Sequence, residues 1–274
     1  MSVNRVLVAN RGEIAVRVIR ACQSLGIEAV AAVSDADRES MAAKMANRAV
    51  CIGPARSTDS YLKVENIIAA AQGTGCDALH PGYGFLSERP ALAQACVDNK
   101  ITFVGPSAEN ITMMGDKLEA RKIARHAGVP LVPGSDHARN PHEARQLSKE
   151  IGFPLLLKAS AGGGGRGIKL VWNENEIEDT FRTAAAEARA AFGNDTLYME
   201  RYVGNARHIE VQILGDQHGN VVHLGERDCS LQRRHQKIVE EAPAYAVPVE
   251  VRQQMCHAAA TLARSIGYQS AGTI

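Results

Sequence analysis

The sequence predicts an α/β protein in two parts: a doubly wound domain on a parallel sheet, then an α+β unit built on antiparallel strands. Three observations point there. From Arg5 to about Gly105, short apolar runs alternate with stretches of helical periodicity, the pattern of a parallel sheet with helices on its faces. Beyond Gly152, apolar runs follow one another across short turns, as antiparallel strands do. The chain has 274 residues, of which 45% are hydrophobic and 22% charged, so it is long enough for one large core or two smaller ones.

Element by element, "RVLVA" (5–9), "EAVAAVS" (28–34), "AVCIG" (49–53), "DALH" (77–80) and "TFVG" (102–105) read as strands. Between the first two, Ile14, Val18, Cys22 and Leu25 recur at helical spacing, and Gly26 follows as a C-terminal cap. Residues 60–73 and 90–100 repeat that helical pattern. In the second part, 140–152 predicts a helix, 153–160 and 167–172 strands, and Glu174 to Phe192 a long helix. Strands at 196–203, 206–215 and 220–228 follow, the last two joined by the turn "DQHGN". A helix from Val249 to Ile266 leads into "YQSAGTI", the opening of a further strand.

Bulk properties exclude several functions. A formal charge of +1 gives no electrostatic footprint for nucleic acid or an anionic membrane, and aromatics at 4% are too sparse for base-stacking platforms. No apolar run approaches the ~20 residues of a membrane span, and the start of the chain runs directly into a strand, so neither membrane span nor leader is expected. The six cysteines are scattered with no C-x-x-C pair, which fits reduced, mostly buried thiols in a cytoplasmic protein. Dinucleotide binding after the first strand is disfavoured, because "ANRGEIA" has one glycine where that fingerprint needs three.

The run "KASAGGGGRG" (158–167) holds four consecutive glycines. Gly162 and Gly167 have Walker A spacing, but Ile168 stands where lysine is required. Gly162, Gly164 and Gly167 match G-x-G-x-x-G, yet a strand follows rather than the helix that a dinucleotide site needs. Strand, glycines and strand is the geometry of a flap over a nucleotide's phosphates, with Lys158 beside them; the alternative is a flexible surface turn.

Other segments admit two readings. His208, Glu210 and Gln212 share one face of a strand, either solvated or ligand-contacting. "ERDCSLQRRHQKIVEE" (226–241) is either a solvated charged surface or an anion site using Gln232, His235 and Lys237. "HPGYGFLSE" (80–88) lies at the carboxyl end of a strand, where open α/β sheets place ligands, but its glycines and proline also suit a plain turn. Lys117 stands near the first turn of a helix in "MGDKLEARKIARHAGVP", facing either solvent or a ligand.

Taken in order, "VLVANRGEIAVRVIRA", "HPGYGFLSE", "FVGPS", "MGDK", "KASAGGGGRGIKLV", "ARHIEVQILGDQHGNVVHLGERDCSLQRRHQKIVEEAPA" and "SAGTI" resemble the biotin carboxylase family of ATP-grasp proteins across essentially the whole chain. The resemblance implies a Rossmann-like parallel-sheet N-terminal domain (1–113), an ATP-grasp α+β linker and glycine-rich lid (114–203), and the start of an ATP-grasp core (204–274), truncated. It implies that ATP phosphorylates bicarbonate to carboxyphosphate, which carboxylates biotin on a biotin carboxyl carrier protein or domain. A carboxyltransferase subunit or domain then uses the carboxyl group, and a homodimer is expected of the full-length protein.

By the same resemblance Lys117 and Lys158 contact phosphates, and Gly163, Gly164 and Gly165 supply backbone donors. The strand through Glu200, Arg201 and Val203 lines the adenine pocket, largely by backbone groups; Arg201 stands where many relatives carry lysine. His208 reaches the ribose, Gln232 and His235 the nucleotide region, and Lys237 the γ-phosphate and bicarbonate, as the catalytic residue. Mg²⁺ (or Mn²⁺) is expected with the full-length protein, with its carboxylate ligands beyond "SAGTI", so no metal ligand is assigned in this chain and the fragment is expected to be inactive alone. The alternatives are another ATP-grasp ligase, such as a carbamoyl-phosphate synthetase, and a non-catalytic nucleotide-binding or scaffold module.

Overall fold

The computed structural model describes residues 3–160, 167–233 and 236–274. They fall into two compact units: Met1–Gly115 with Gly215–Gly219 and Gly267–Ala271, and Asp116–Leu214 with Asn220–Ile266 and Gly272–Ile274.

The first unit is built on five parallel strands: β1 (Arg5–Val8), β2 (Glu28–Val33), β3 (Arg48–Cys51), β4 (Ala78–His80) and β5 (Thr102–Phe103), in the order β3-β2-β1-β4-β5. Helices α1 (Gly12–Ser24), α2 (Met41–Met45), α3 (Val64–Gly73), α4 (Pro90–Asp98) and α5 (Ala108–Gly115) connect and follow them. The strands are apolar on both faces because both are covered: Val6 and Val8 pack with Ala15 and Ile19 of α1, and Leu7 packs with Val30, Ile67, Leu79 and Leu92. Leu7, Ile67 and Leu79 are fully buried, each contributing about 1.5–3 kcal/mol over an exposed side chain. The first strand is tied in at its start, where Asp77 accepts from the backbone amides of Asn4 (2.9 Å) and Arg5 (3.1 Å).

At the carboxyl ends of β1 and β4, where the strand order reverses, Asn10 donates to the carbonyls of Pro81 (2.7 Å) and Tyr83 (2.8 Å). Gly82 is needed between them: it has φ +66°, and a Cβ there would meet the Asn10 amide at 2.7 Å. The structure adds the helices α2 and α5 to those that periodicity gives, and it shortens another. The helix expected over 60–73 begins at Val64, because residues Ser57–Asp59 form a 3-10 turn and Tyr61 turns inward. The Tyr61 hydroxyl donates to Asp37 (2.8 Å), accepts from the Ser34 amide (3.1 Å), and its ring stacks on Phe85 at 5.0 Å.

The second unit carries α6 (Lys117–His126), α7 (Pro141–Ile151), β6 (Leu155–Ala159), β7 (Ile168–Val171), α8 (Ile177–Phe192), β8 (Leu197–Arg201), β9 (Ile209–Gly215), β10 (Val221–Asp228), β11 (Gln232–Arg233), β12 (Gln236–Lys237), α9 (Val249–Ser265) and β13 (Ser270–Thr273), a few of whose terminal residues belong to the first unit. One antiparallel sheet runs β7-β6-β8. Leu155, Leu157, Ala159, Leu197 and Met199 form its buried face, against Ala144 and Ile151 of α7 and Phe181, Ala184 and Ala188 of α8. The segment after α6 lies along the free edge of β8: Ser135 N donates to Met199 O (2.9 Å) and Arg201 N to Pro133 O (2.8 Å). A second sheet runs β10-β9-β13, in which Val211 and Ile274 exchange backbone hydrogen bonds of 2.7 and 3.0 Å, and β11 and β12 form a small hairpin.

All six cysteines are free; five are buried and Cys51 is exposed. No helix among the described residues is long and apolar enough to cross a membrane.

Candidate functional site

Period two sorts the lid sheet. With Leu155, Leu157 and Ala159 turned to the helices, Lys158 points to the opposite face. The register pairs Lys158 with Tyr198 and Leu156 with Glu200, so Lys158, Tyr198 and Glu200 share that opposite face. The Lys158 ammonium bonds the Glu200 carboxylate and lies 5.9 Å from the centre of the Tyr198 ring. Tyr198 is buried, and that burial, with the nearby Glu200 charge, pushes its phenol up to about 12.

Lys117, the first residue of α6, lies near enough to Lys158 and Glu200 to feel their charges. The helix starts there because Asp116 caps it, accepting from the amides of Leu118 (2.8 Å) and Glu119 (3.1 Å). A cation in the first turn opposes the helix dipole, so its position does not serve helix stability. Its pKa is lowered, first by burial and then by repulsion from Lys158, with Glu200 offsetting part of that. Of the two ammoniums, Lys158 is ion-paired with Glu200, and Lys117 feels the charges of both. The group carries surplus positive charge, suited to a multiply charged anion.

Arg121, which the sequence reading did not single out, completes the group. It stands one helical turn after Lys117 and also bonds the Glu200 carboxylate. The i, i+4 spacing from Lys117 was the available signal; Glu200 lies 79 residues away.

A second charged group lies on the β9–β10 sheet and the β11–β12 hairpin. Glu210 is only 6% exposed. Its Oε1 accepts from Arg227 Nε (2.7 Å) and faces Nη2 at 2.5 Å, while Oε2 binds the Lys237 ammonium. Gln212 accepts from Arg227 Nη1 (3.0 Å). Glu210 and Gln212 are therefore held in an ion network, while His208 on the same strand face is exposed. Burial pushes the Glu210 carboxyl up, but the hydrogen bonds from Lys237 and Arg227 outweigh it and leave the pKa below the usual carboxylate value. Lys237 shows the converse: burial lowers its pKa, and the stronger effect of Glu210 raises it.

The other expected contacts divide. His208 and Gln232 are brought together, Gln232 Nε2 meeting His208 Nδ1 and also donating to Cys229 O (2.9 Å). Arg201 lies on the helix-facing side of β8, where its Nη1 donates to Ile151 O (3.0 Å) at the end of α7. Its side chain is therefore turned away from the Lys158–Glu200 face, and its backbone N–H is bonded to Pro133 O (2.8 Å). Val203 lies just past β8 and is exposed. Gly163, Gly164, Gly165 and His235 lie outside the described residues.

For a divalent cation, the candidate donors among the described residues are Glu210, Cys229 and Glu240, whose ligand atoms lie within 4.8 Å of one another. They do not fit Mg²⁺. Glu210 already neutralises Arg227 and Lys237, and a thiol is a poor donor to a hard cation.

Two family models cover this chain: "Biotin carboxylase, N-terminal domain" matches residues 2–111, and "Carbamoyl-phosphate synthase L chain, ATP binding domain" matches residues 116–274. The chain belongs to the biotin carboxylase family. Its fold is accordingly the mixed α/β, ATP-grasp fold of biotin carboxylases. Biotin carboxylase 1 of Bacillus subtilis is 51% identical over 273 residues, which are 99% of this chain and 61% of that protein. The crystal structure of a biotin carboxylase–β,γ-ATP complex from Campylobacter jejuni superposes with a TM-score of 0.95 at 48% identity, covering 99% of this chain and 61% of that one. The biotin carboxylase domain of 2-oxoglutarate carboxylase from Hydrogenobacter thermophilus, solved as a dimer with MgADP, ADP and bicarbonate, gives 0.92 at 49% identity, covering 100% of this chain and 60% of that one. The chain spans about 60% of the length of these biotin carboxylases.

Proposed function

We propose that this chain is the nucleotide-handling part of a biotin carboxylase, whose whole protein uses ATP and bicarbonate to carboxylate carrier-bound biotin in the cytoplasm. The observation that carries the reading is the Lys158–Glu200–Arg121 group, with Lys117 near enough to feel its charges and Lys158 four residues ahead of the glycine run in the sequence. Bicarbonate is a poor electrophile, so phosphorylation must supply a leaving group, and a triphosphate has to be held still beside a small anion. Lys117 and Lys158 take the phosphates, with donors from Gly163, Gly164 and Gly165. The β8 backbone from Glu200 to Val203 takes the adenine, and His208, Gln232 and His235 the ribose side of the nucleotide.

Lys237 is the catalytic cation. Glu210 keeps its ammonium protonated and in place, so it can face the γ-phosphate and bicarbonate without acting as a base. Mg²⁺ or Mn²⁺ serves the whole protein through residues other than the Glu210 group. The partners are a biotin carboxyl carrier and a carboxyltransferase, as subunits or domains, and a second copy in a homodimer.

The rival reading, a carbamoyl-phosphate synthetase, is disfavoured by the match of residues 2–111 to a biotin carboxylase domain. The test is ADP release by the full-length protein. It should require bicarbonate and rise when free biotin is added. Bicarbonate-dependent ATP hydrolysis that ammonia stimulates and biotin does not would overturn the proposal.

A further inference from the structure

We propose that Arg121 is a positioning residue for the nucleotide, holding the Glu200 carboxylate so that the Lys158 ammonium stays available to a polyphosphate. The inference rests on the nucleotide-binding reading above and adds a residue to it.

Arg121 is nine-tenths buried and fixed at two points. Its Nη1 bonds Glu200 Oε1, and its Nη2 donates to Val132 O (3.0 Å). Lys158 takes the other oxygen, Oε2. The surroundings are shaped to this arrangement: a Cβ at Gly134 would lie 3.0 Å from Arg121 Nη2 and would collide with the Met199 carbonyl.

Formal charges show what the arrangement achieves. Arg121 and Lys158 bring two positive charges to one carboxylate with Lys117 nearby, which leaves the group doubly positive. The guanidinium's planar fork holds Glu200 and Val132 at once and so takes a share of the carboxylate. Without it, Glu200 has Lys158 as its remaining partner on this face. That pair then closes on itself, and an incoming phosphate must displace a carboxylate that no longer has a second anchor. The loss falls on ligands that carry phosphate, because the role proposed for Lys158 is to contact the phosphates.

The experiment is calorimetric titration of the full-length protein with ATP and, separately, with adenosine. Arg121→Met should raise the Kd for ATP about tenfold and leave that for adenosine within about twofold. Arg121→Lys keeps the charge but cannot hold both Glu200 and Val132, so its ATP loss should be smaller, about threefold. Adding Glu200→Gln to Arg121→Met should restore much of the ATP affinity, since a neutral amide does not sequester Lys158. Equal losses for ATP and adenosine, or a double variant no better than Arg121→Met, would overturn the proposal. If Arg121→Met does not fold, Arg121→Lys carries the test, and an unchanged ratio of ATP to adenosine affinity overturns it. Wild-type protein that binds no ATP would instead remove the nucleotide reading itself.

Discussion

Glu210→Gln tests whether the ion network of the second unit is structural as well as functional. An amide keeps the shape of the carboxylate but offers one acceptor oxygen. If that oxygen stays on Arg227, which approaches at 2.5 and 2.7 Å, the amino group is turned toward the Lys237 ammonium. Hydrogen bonds to charged groups contribute about 1.5–3 kcal/mol, and the partial exposure of both cations places the loss in the lower half, about 1.5–2 kcal/mol. At roughly 2–4 °C per kcal/mol, the calorimetric Tm at pH 7 should fall by about 3–8 °C. The pH dependence separates the charge from the shape. The folded carboxyl has its pKa held below the ordinary value, so its contribution is complete above about pH 4.3 and fades as pH falls through the lower folded value. The gap between wild type and variant should therefore be full at pH 7 and narrow on acidification below about pH 4. Equal Tm values at pH 7, or a gap that widens in acid, would refute the reasoning.

Two further substitutions probe how the first charged group is built. Gly134→Ala forces a Cβ onto the Met199 carbonyl and should cost about 1–3 kcal/mol in chemical denaturation, with a variant as stable as wild type counting against the packing. Asp116→Ala removes the cap of α6 and should cost about 1 kcal/mol, read as roughly fivefold faster amide exchange at Leu118 and Glu119; unchanged exchange would show that the cap is not what starts the helix.

What could be read in the sequence was what lies close along the chain. The β1-to-β5 alternation, the α7–β6 step and the β6–β7 strand pair around the glycines all carry local periodicity, and they stand in the structure within a few residues of where that periodicity places them. The start of α3 was misplaced because Tyr61 and Leu62 continue an apolar pattern, while the Tyr61 hydroxyl is drawn to Asp37 twenty-four residues earlier. The alternation of His208, Glu210 and Gln212 reads equally as a wet face. Only Arg227 and Lys237, brought by a neighbouring strand and a hairpin, make Glu210 an internal charge. For Arg121 the i, i+4 spacing from Lys117 was the local signal, but its significance depends on Glu200, 79 residues away, which no spacing rule connects to it.

The central position of β1 has a consequence for how the chain is made. Its first side is closed by β2 soon after it emerges, but its second side waits for β4, and the Arg5–Asp77 bond that tethers it spans 72 residues. At about 5–20 residues per second of synthesis, that wait lasts seconds. During it the most apolar strand of the first unit has one hydrogen-bonding edge unfilled, which makes the nascent N-terminal half of this unit a natural client for chaperones that shield strand edges.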